Sequence, residues 1–446
     1  MAPGGEATGT PLPGLRGLVR LGQAGGVLFV AKVGAAGLSF IILAFLARIL
    51  GPASFGDFTL LRILFMLLVG LLGPAIDTAL VRFGARELVQ CPDRFAPTVR
   101  AALHAKAMLA IAFIVGGIVL AYPVRSVLFD PDSPIRSVHI AIVFWGAAAM
   151  LFVDLLRALL QTQQRFAAYA VVEFLVPVLR AGAVAGLAGL GFAIAGPYLV
   201  AYVAAPAALV LVLWRIVARS SGDSTADSFQ VAGDLRRFAG WVLVACVCTS
   251  IAQNADMLIL GLFPISRESV GGYGAARTMM QVGDLAVLSL FSVFLPYASG
   301  LNSSKAMARM LRVWTPGLGV CCLLTVPLLF HMDWAMAIVF GEPYAGFGAV
   351  LAVLLAGTLV SVVSAPAGAV VYGAGYPRII ALLEGIKLIT LVGGGAVLVS
   401  RYGIWGMACT MATVKGTIGV LTFGAAVWVT GKATQTTGEP NGDDSR

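Results

Sequence analysis

Residues 26–62 read GVLFVAKVGAAGLSFIILAFLARILGPASFGDFTLLR. From Gly26 to Ala47 the only charge is Lys32. A bilayer-spanning helix needs about 20 apolar residues, so this run is long enough to cross a membrane. The pair Gly51–Pro52 then punctuates the chain, and a second apolar run opens at Phe58. The chain is expected to cross, turn and cross back.

The same logic extends to the C-terminus. Of 446 residues, 59% are hydrophobic and 11% are charged, against about 25% charged in a soluble domain. Mean hydropathy is +0.94. Apolar runs at about 26–47, 58–80, 101–122, 138–160, 167–190, 192–214, 238–261, 275–297, 313–333, 346–370, 379–400 and 403–429 predict twelve crossings. Inside lipid the backbone must satisfy its own polar groups, so the expected class is an all-α integral membrane protein.

An even number of crossings puts both termini on one side. With the N-terminus in the cytoplasm, 17 basic residues fall in cytoplasmic segments and 5 in outer ones. Positive residues concentrate on the cytoplasmic face, so both termini are expected in the cytoplasm. This bias accounts for most of the formal charge of +9 without a nucleic-acid partner. The first 25 residues carry no apolar core with a cleavage site, so no ordinary signal peptide is read there. Six cysteines and three histidines show no zinc-ligand spacing; no metal and no cofactor are expected.

The octet FGDFTLLR at 55–62 returns as VGGYGAAR at 270–277. Each has Gly in second place, an aromatic in fourth and Arg in eighth. Further loose matches keep the order: VLFDPDSP (127–134) with IVFGEPYA (338–345), AVVE (170–173) with ALLE (381–384), and GFAI (191–194) with GIWG (403–406). The offsets are 215, 211, 211 and 212. A near-constant offset indicates a duplicated six-helix unit. Two units of even helix count insert the same way round, related by a pseudo-two-fold axis along the membrane normal. The expected organisation is a cytoplasmic segment (1–25), a six-helix lobe (26–214), a polar cytoplasmic linker (215–237), a second lobe (238–429) and a disordered cytoplasmic tail (430–446).

Eight basic residues fall inside the runs: Lys32, Arg62, Lys106, Arg157, Arg180, Arg277, Lys387 and Lys415. Six acids join them: Asp77, Asp154, Glu173, Asp256, Asp284 and Glu384. A charge at mid-bilayer costs at least about 2.5 kcal/mol, so these residues must face one another or a wet interior, or snorkel from the span ends. Asp154 with Arg157, and Glu384 with Lys387, are three apart on one helix and can neutralise each other. They read as structural or coupling charges, as does Glu173, the repeat equivalent of Glu384. Lys32, Arg62, Arg277 and Lys415 have no acid at that spacing and are the candidates for an anion site. Arg180, with Glu173 two turns away, is less clear. The octet glycine is expected in an outer turn, its aromatic (Phe58 or Tyr273) at the membrane interface, and its arginine one turn deeper, facing either the interior or the outer interface. The anion could be a carboxylate, a phosphate or a pyrophosphate. No P-loop and no cluster of catalytic residues occurs, which points to a transporter rather than an enzyme.

The run 26–87, with ARILGPASFG and DTALVRFGARE, resembles the start of a Wzx-type polysaccharide flippase. ADMLILGLFPISRESVGGYGAARTMM (255–280) and VFGEPYAGFGAVLAVL (339–354) resemble that family's second half. The resemblance implies the multidrug/oligosaccharidyl-lipid/polysaccharide exporter superfamily, alternating access and the bacterial cytoplasmic (inner) membrane. It implies movement of a polyprenyl-pyrophosphate-linked oligosaccharide from the cytoplasmic to the periplasmic leaflet. Lipid II flippases of the superfamily carry cavity arginines on helices one, two and eight, where this chain has Lys32, Arg62 and Arg277. They also have two further helices, so an O-antigen or exopolysaccharide unit is favoured here. Implied partners are the lipid-linked oligosaccharide, membrane lipid, a polysaccharide polymerase and a chain-length regulator. The alternatives are a cation-coupled multidrug antiporter, disfavoured by Lys32 and the lack of an acid on the first helix, and a non-transporting assembly factor.

Overall fold

The computed structural model describes residues 15–131, 133–220, 228–299, 304–374 and 376–436. Those residues form helices and connecting turns. α1 (Leu15–Gln90) breaks at Gly51 and contains the first two crossings. α2 (Pro92–Leu128), α3 (Ser137–Thr162), α4 (Phe166–Gly189) and α5 (Ala195–Ser220) follow. The second half holds α6 (Ser228–Leu262), α7 (Arg267–Ser299), α8 (Ser304–Thr325), α9 (Met332–Phe340), α10 (Gly348–Gly373) and α11 (Pro377–Thr436). Two 3₁₀ segments, Val326–His331 and Glu342–Phe347, flank α9. α11 breaks at Gly403.

Nine stretches of the described residues are long and apolar enough to cross a bilayer. Two of them, Phe29–Gln90 and Arg378–Gly431, each hold two crossings, divided at Gly51 and Gly403. With α5, the twelve expected crossings are present. The helices overrun the apolar runs, α2 most of all. α5 continues to Ser220 and α6 starts at Ser228, so of the expected linker only 221–227 lies outside the described residues. Likewise α1 begins at Leu15 and α11 ends at Thr436; 1–14 and 437–446 lie outside them.

The helices gather in two groups. α2 packs on α3, α3 on α5, α4 on α5, and α1 runs along α3 and α4. In the second half α10 packs on α7, α8 and α11, and α11 on α6. The groups meet where α1 lies against α6 and α7. This is the two-lobe, twelve-helix architecture expected from the repeat. Outward faces carry Ile111, Ile118, Leu323, Phe330 and Ile389 in the open, as lipid-facing surfaces do.

The backbone supports the repeat independently. Gly191 and Gly403 open the last crossing of each half in the matched tetrapeptides, and both have positive φ, 78° and 56°. With Gly51 and Gly341 they supply all the positive-φ glycines among the described residues. In chain order all four fall at the same end of the bundle. There glycine permits the left-handed backbone of a sharp reversal.

Candidate functional site

The octets pack against each other. Gly56 and Gly271, second in each, stand back to back: a Cβ on Gly56 would lie 2.2 Å from the Arg267 carbonyl and 3.1 Å from Gly271 N. One turn on, a Cβ on Gly274 would lie 2.9 Å from Cγ2 of Thr59, its own repeat equivalent. Equivalent residues touch only where the axis relating them passes, so the pseudo-two-fold runs between the second and eighth crossings. The octet glycines are therefore helix-crossing residues rather than the expected turn residues. Small side chains let two helices approach closely within a membrane.

The aromatics also depart from expectation. Phe58 and Tyr273 are wholly buried instead of sitting at the membrane interface. Phe58 meets Tyr202 edge-on at 5.7 Å between centroids. The Tyr273 hydroxyl donates to Asp256 Oδ2 at 3.2 Å.

The octet arginines face inward. Arg62 is 6% exposed and Arg277 5%. Arg277 Nε donates to Asp256 Oδ2 at 2.6 Å, and its Nη2 donates to the Gln253 carbonyl. Arg62 lies beside Tyr202, within electrostatic range of Arg277 and Arg180. Its Nε is buried without a hydrogen-bond partner.

All six intramembrane acids have basic partners. Asp77 takes Lys106 at 2.9 Å. Asp154 takes Arg157 at 2.8 Å, as read from the sequence. Glu173 takes Arg157 at 3.0 Å, and so is directed away from Arg180. Asp256 takes Arg277. Asp284 takes Lys415 at 2.5 Å, and Lys415 also donates to Thr358 Oγ1 at 3.0 Å. Glu384 takes Lys387 at 3.0 Å. Arg277 and Lys415, which lack acids at helical spacing, thus have them on neighbouring helices. Lys32 is exposed on the first crossing. Its sequence neighbours Val30 and Ala31, with Phe174 and Val178 but without Lys32, line an apolar cavity of about 940 Å³ between α1 and α4.

Arg62 and Arg180 remain: buried guanidiniums with no carboxylate within ion-pair distance among the described residues. Arg180 Nε donates to the Tyr202 carbonyl at 3.0 Å. Its guanidinium lies 3.9 Å from the Tyr202 ring centroid and 5.6 Å from that of Phe65, and its Nη2 is buried without a partner. Phe58, Arg62 and Phe65 recur at helical spacing on one face of α1, and Tyr202 packs edge-on against both rings. Sequence spacing did not select Arg180. The discriminating fact, which way Glu173 points, is set by a different helix.

The end bearing the positive-φ glycines is cross-linked between the lobes. Arg267 reaches Asp57 and Asp130, each at 3.6 Å. It also donates to the Leu128 carbonyl at 2.7 Å and covers the Phe129 ring at 5.0 Å. Arg48 donates to the carbonyls of Val339, at 3.0 Å, and Ile338. The Tyr344 hydroxyl donates to the Ala47 carbonyl at 3.0 Å. With the Gly56–Gly271 crossing, these contacts join the lobes at this end.

A family profile described as "Polysaccharide biosynthesis protein" matches residues 21–302. The succinoglycan biosynthesis transport protein ExoT of Rhizobium meliloti (strain 1021) is 25% identical over 336 residues, covering 73% of this chain and 63% of ExoT. Among solved structures, an inward-facing multidrug resistance MATE family transporter of the MOP superfamily matches with a TM-score of 0.74 at 12% identity, over 90% of this chain and 96% of that one. The lipid II flippase MurJ, in an inward closed conformation, matches with a TM-score of 0.71 at 12% identity, over 93% of each chain. At such identities the likeness is one of fold.

Proposed function

Because the chain belongs to the polysaccharide biosynthesis protein family, we propose that it is a flippase. Its cargo is a polyprenyl-pyrophosphate-linked oligosaccharide, moved from the cytoplasmic to the periplasmic leaflet for surface polysaccharide synthesis. The observation that carries this reading is the pair of buried arginines, Arg62 and Arg277, at equivalent positions on the two lobes. Guanidinium groups bind phosphate oxygens in bidentate fashion. Six carboxylates face eight cations within the crossings, so an anion entering between the lobes meets net positive charge.

Each part of the cargo then has its surroundings. The sugar hydroxyls, costly to bury unpaired, travel between the lobes. The diphosphate meets Arg62. Arg277 is shared with Asp256 and supplies charge from the opposite lobe. The prenyl tail stays in lipid, with the apolar gap between α1 and α4 as its route past the helices. Lys415, already held by Asp284 and Thr358, acts as a brace rather than a first contact for the anion.

Orientation follows from the basic residues: both termini and 215–237 lie in the cytoplasm of a bacterium, the lobes being 26–214 and 238–429, and the cross-linked end faces the periplasm. The conformation is then one with its outer end shut. A polymerase and a chain-length regulator would receive the product.

The test is purified protein in proteoliposomes with a fluorescent lipid-linked oligosaccharide. Protein-dependent translocation that is lost in Arg62→Ala is expected; absence of translocation by the wild-type chain across a set of glycans sinks the proposal. Single cysteines at positions 130 and 165 test orientation: an impermeant maleimide should label the first in intact cells and spare the second.

A further inference from the structure

We infer that Arg180 and Arg62, both neighbours of Tyr202, form one diphosphate-binding site, with Arg180 as its second anion ligand and Tyr202 as the residue that positions it. The inference rests on the flippase reading and adds a ligand that the repeat cannot supply, because position 391, at the offset of 211 that relates Glu173 to Glu384, is Leu391.

Arg180 is 6% exposed and lies in α4, inside the fifth crossing. A cation there must find compensation, since hydrocarbon offers none. The carboxylate nearest in sequence, Glu173, is engaged by Arg157. What Arg180 has instead is one carbonyl and two aromatic faces. Cation–π contact holds a guanidinium without neutralising its charge. The Tyr202 carbonyl engages Nε alone, and Nη2 keeps a buried, unmatched donor. Arg62 repeats the pattern: Tyr202 beside it, no carboxylate, and a buried unmatched Nε.

Two guanidiniums beside one aromatic residue, each with a buried unmatched donor, suit an anion of two linked phosphate groups. A monoanion would leave one arginine uncompensated, and a diphosphate answers both. An arginine needed only to fasten α4 to α5 would be expected to direct its remaining donors to backbone acceptors, as Arg125 does with the carbonyls of Ile135, Asp130 and Pro131. All three groups of the clamp (Arg62 on α1, Arg180 on α4, Tyr202 on α5) lie in the N-terminal half. The first lobe would therefore grip the diphosphate, while Arg277 of the second sits across the axis, tied to Asp256.

The test measures binding of farnesyl pyrophosphate to the full chain in detergent, with farnesyl monophosphate and farnesol alongside. The wild type should prefer the diphosphate, with salt-sensitive affinity. Arg180→Gln can still donate to the Tyr202 carbonyl but lacks charge; it should weaken diphosphate binding about tenfold or more, the scale of one charge-assisted hydrogen bond. Arg180→Lys should fall between, and the preference for diphosphate over monophosphate should shrink in both. Diphosphate binding by Arg180→Gln equal to wild type overturns the assignment and leaves the flippase reading standing. Failure of both variants to yield folded protein also overturns it, by showing a packing role. Indifference of the wild type to all three probes overturns both.

Discussion

Gly56 and Gly271 occupy the same place in the two halves and meet back to back, the nitrogen of Gly56 2.9 Å from where a Gly271 Cβ would stand. The Pro52 carbonyl would be only 1.9 Å from that Cβ. Backbone cannot yield as a flexible side chain can, so Gly271→Ala should force the second and eighth crossings apart. The expected outcome is a shift away from the shut outer end. It is read as increased maleimide labelling from outside of a single cysteine at position 59, which is buried in the present conformation. Unchanged labelling would show that the crossing does not control access.

Arg267 reaches across the lobe boundary to Asp57 and Asp130. Both contacts are long and Asp130 is exposed, so the Asp130 half should contribute little. Asp57 is buried and should matter more. A double-mutant cycle on Asp57→Asn and Arg267→Gln should give a coupling of about 1 kcal/mol, scored by accessibility of the same reporter cysteine. Additive effects would reduce the contact to proximity.

Lys106 is completely buried against Asp77. Lys106→Met leaves an uncompensated carboxylate and should destabilise by about 3–5 kcal/mol. Adding Asp77→Asn removes that charge and should recover much of the loss. Thermal melts of the detergent-solubilised single and double variants make the comparison. A double variant no better than Lys106→Met would mean that the lysine is held for another reason.

Arg62→Ala should abolish polysaccharide export while the protein still reaches the membrane. Arg62→Lys should retain part of it, keeping charge without the fork. Asp256→Asn acts differently: it strips Arg277 of its counter-charge and should lower the melting temperature, which Arg277→Gln in the same chain should partly restore. Export assays beside membrane immunoblots separate the two cases, and loss of protein in Arg62→Ala would mark that residue as structural.

How far the sequence reached follows from the range of each interaction. Crossings are local facts, since a run such as 26–47 must be helical in lipid wherever it sits. The duplication was legible because four short matches kept a near-constant offset, and the positive φ of both Gly191 and Gly403 shows what one match encodes. Pairing of charges was legible only within a helix. Asp154–Arg157 and Glu384–Lys387 obey helical spacing, whereas Arg277–Asp256 and Lys415–Asp284 join separate crossings. Spacing therefore overstated the freedom of Arg277 and Lys415. It understated that of Arg180, whose apparent partner faces another helix. The octet glycine was read as a turn because helix packing through glycine leaves no local mark that distinguishes it from a turn.

The meeting of Gly56 with Gly271 also bears on how such a chain can change over time. A surface that touches its own equivalent is the seam of a two-fold dimer. In a true homodimer every substitution on that seam is made twice, so an acid placed there confronts an acid. Joining the halves in one chain lifts that constraint. Position 57 is Asp and binds Arg267, while its counterpart is glycine, Gly272, covered by the ring of Phe347. One half of the seam thus carries a latch and the other a socket. Their difference gives a symmetric fold two inequivalent sides, on which selection can act separately.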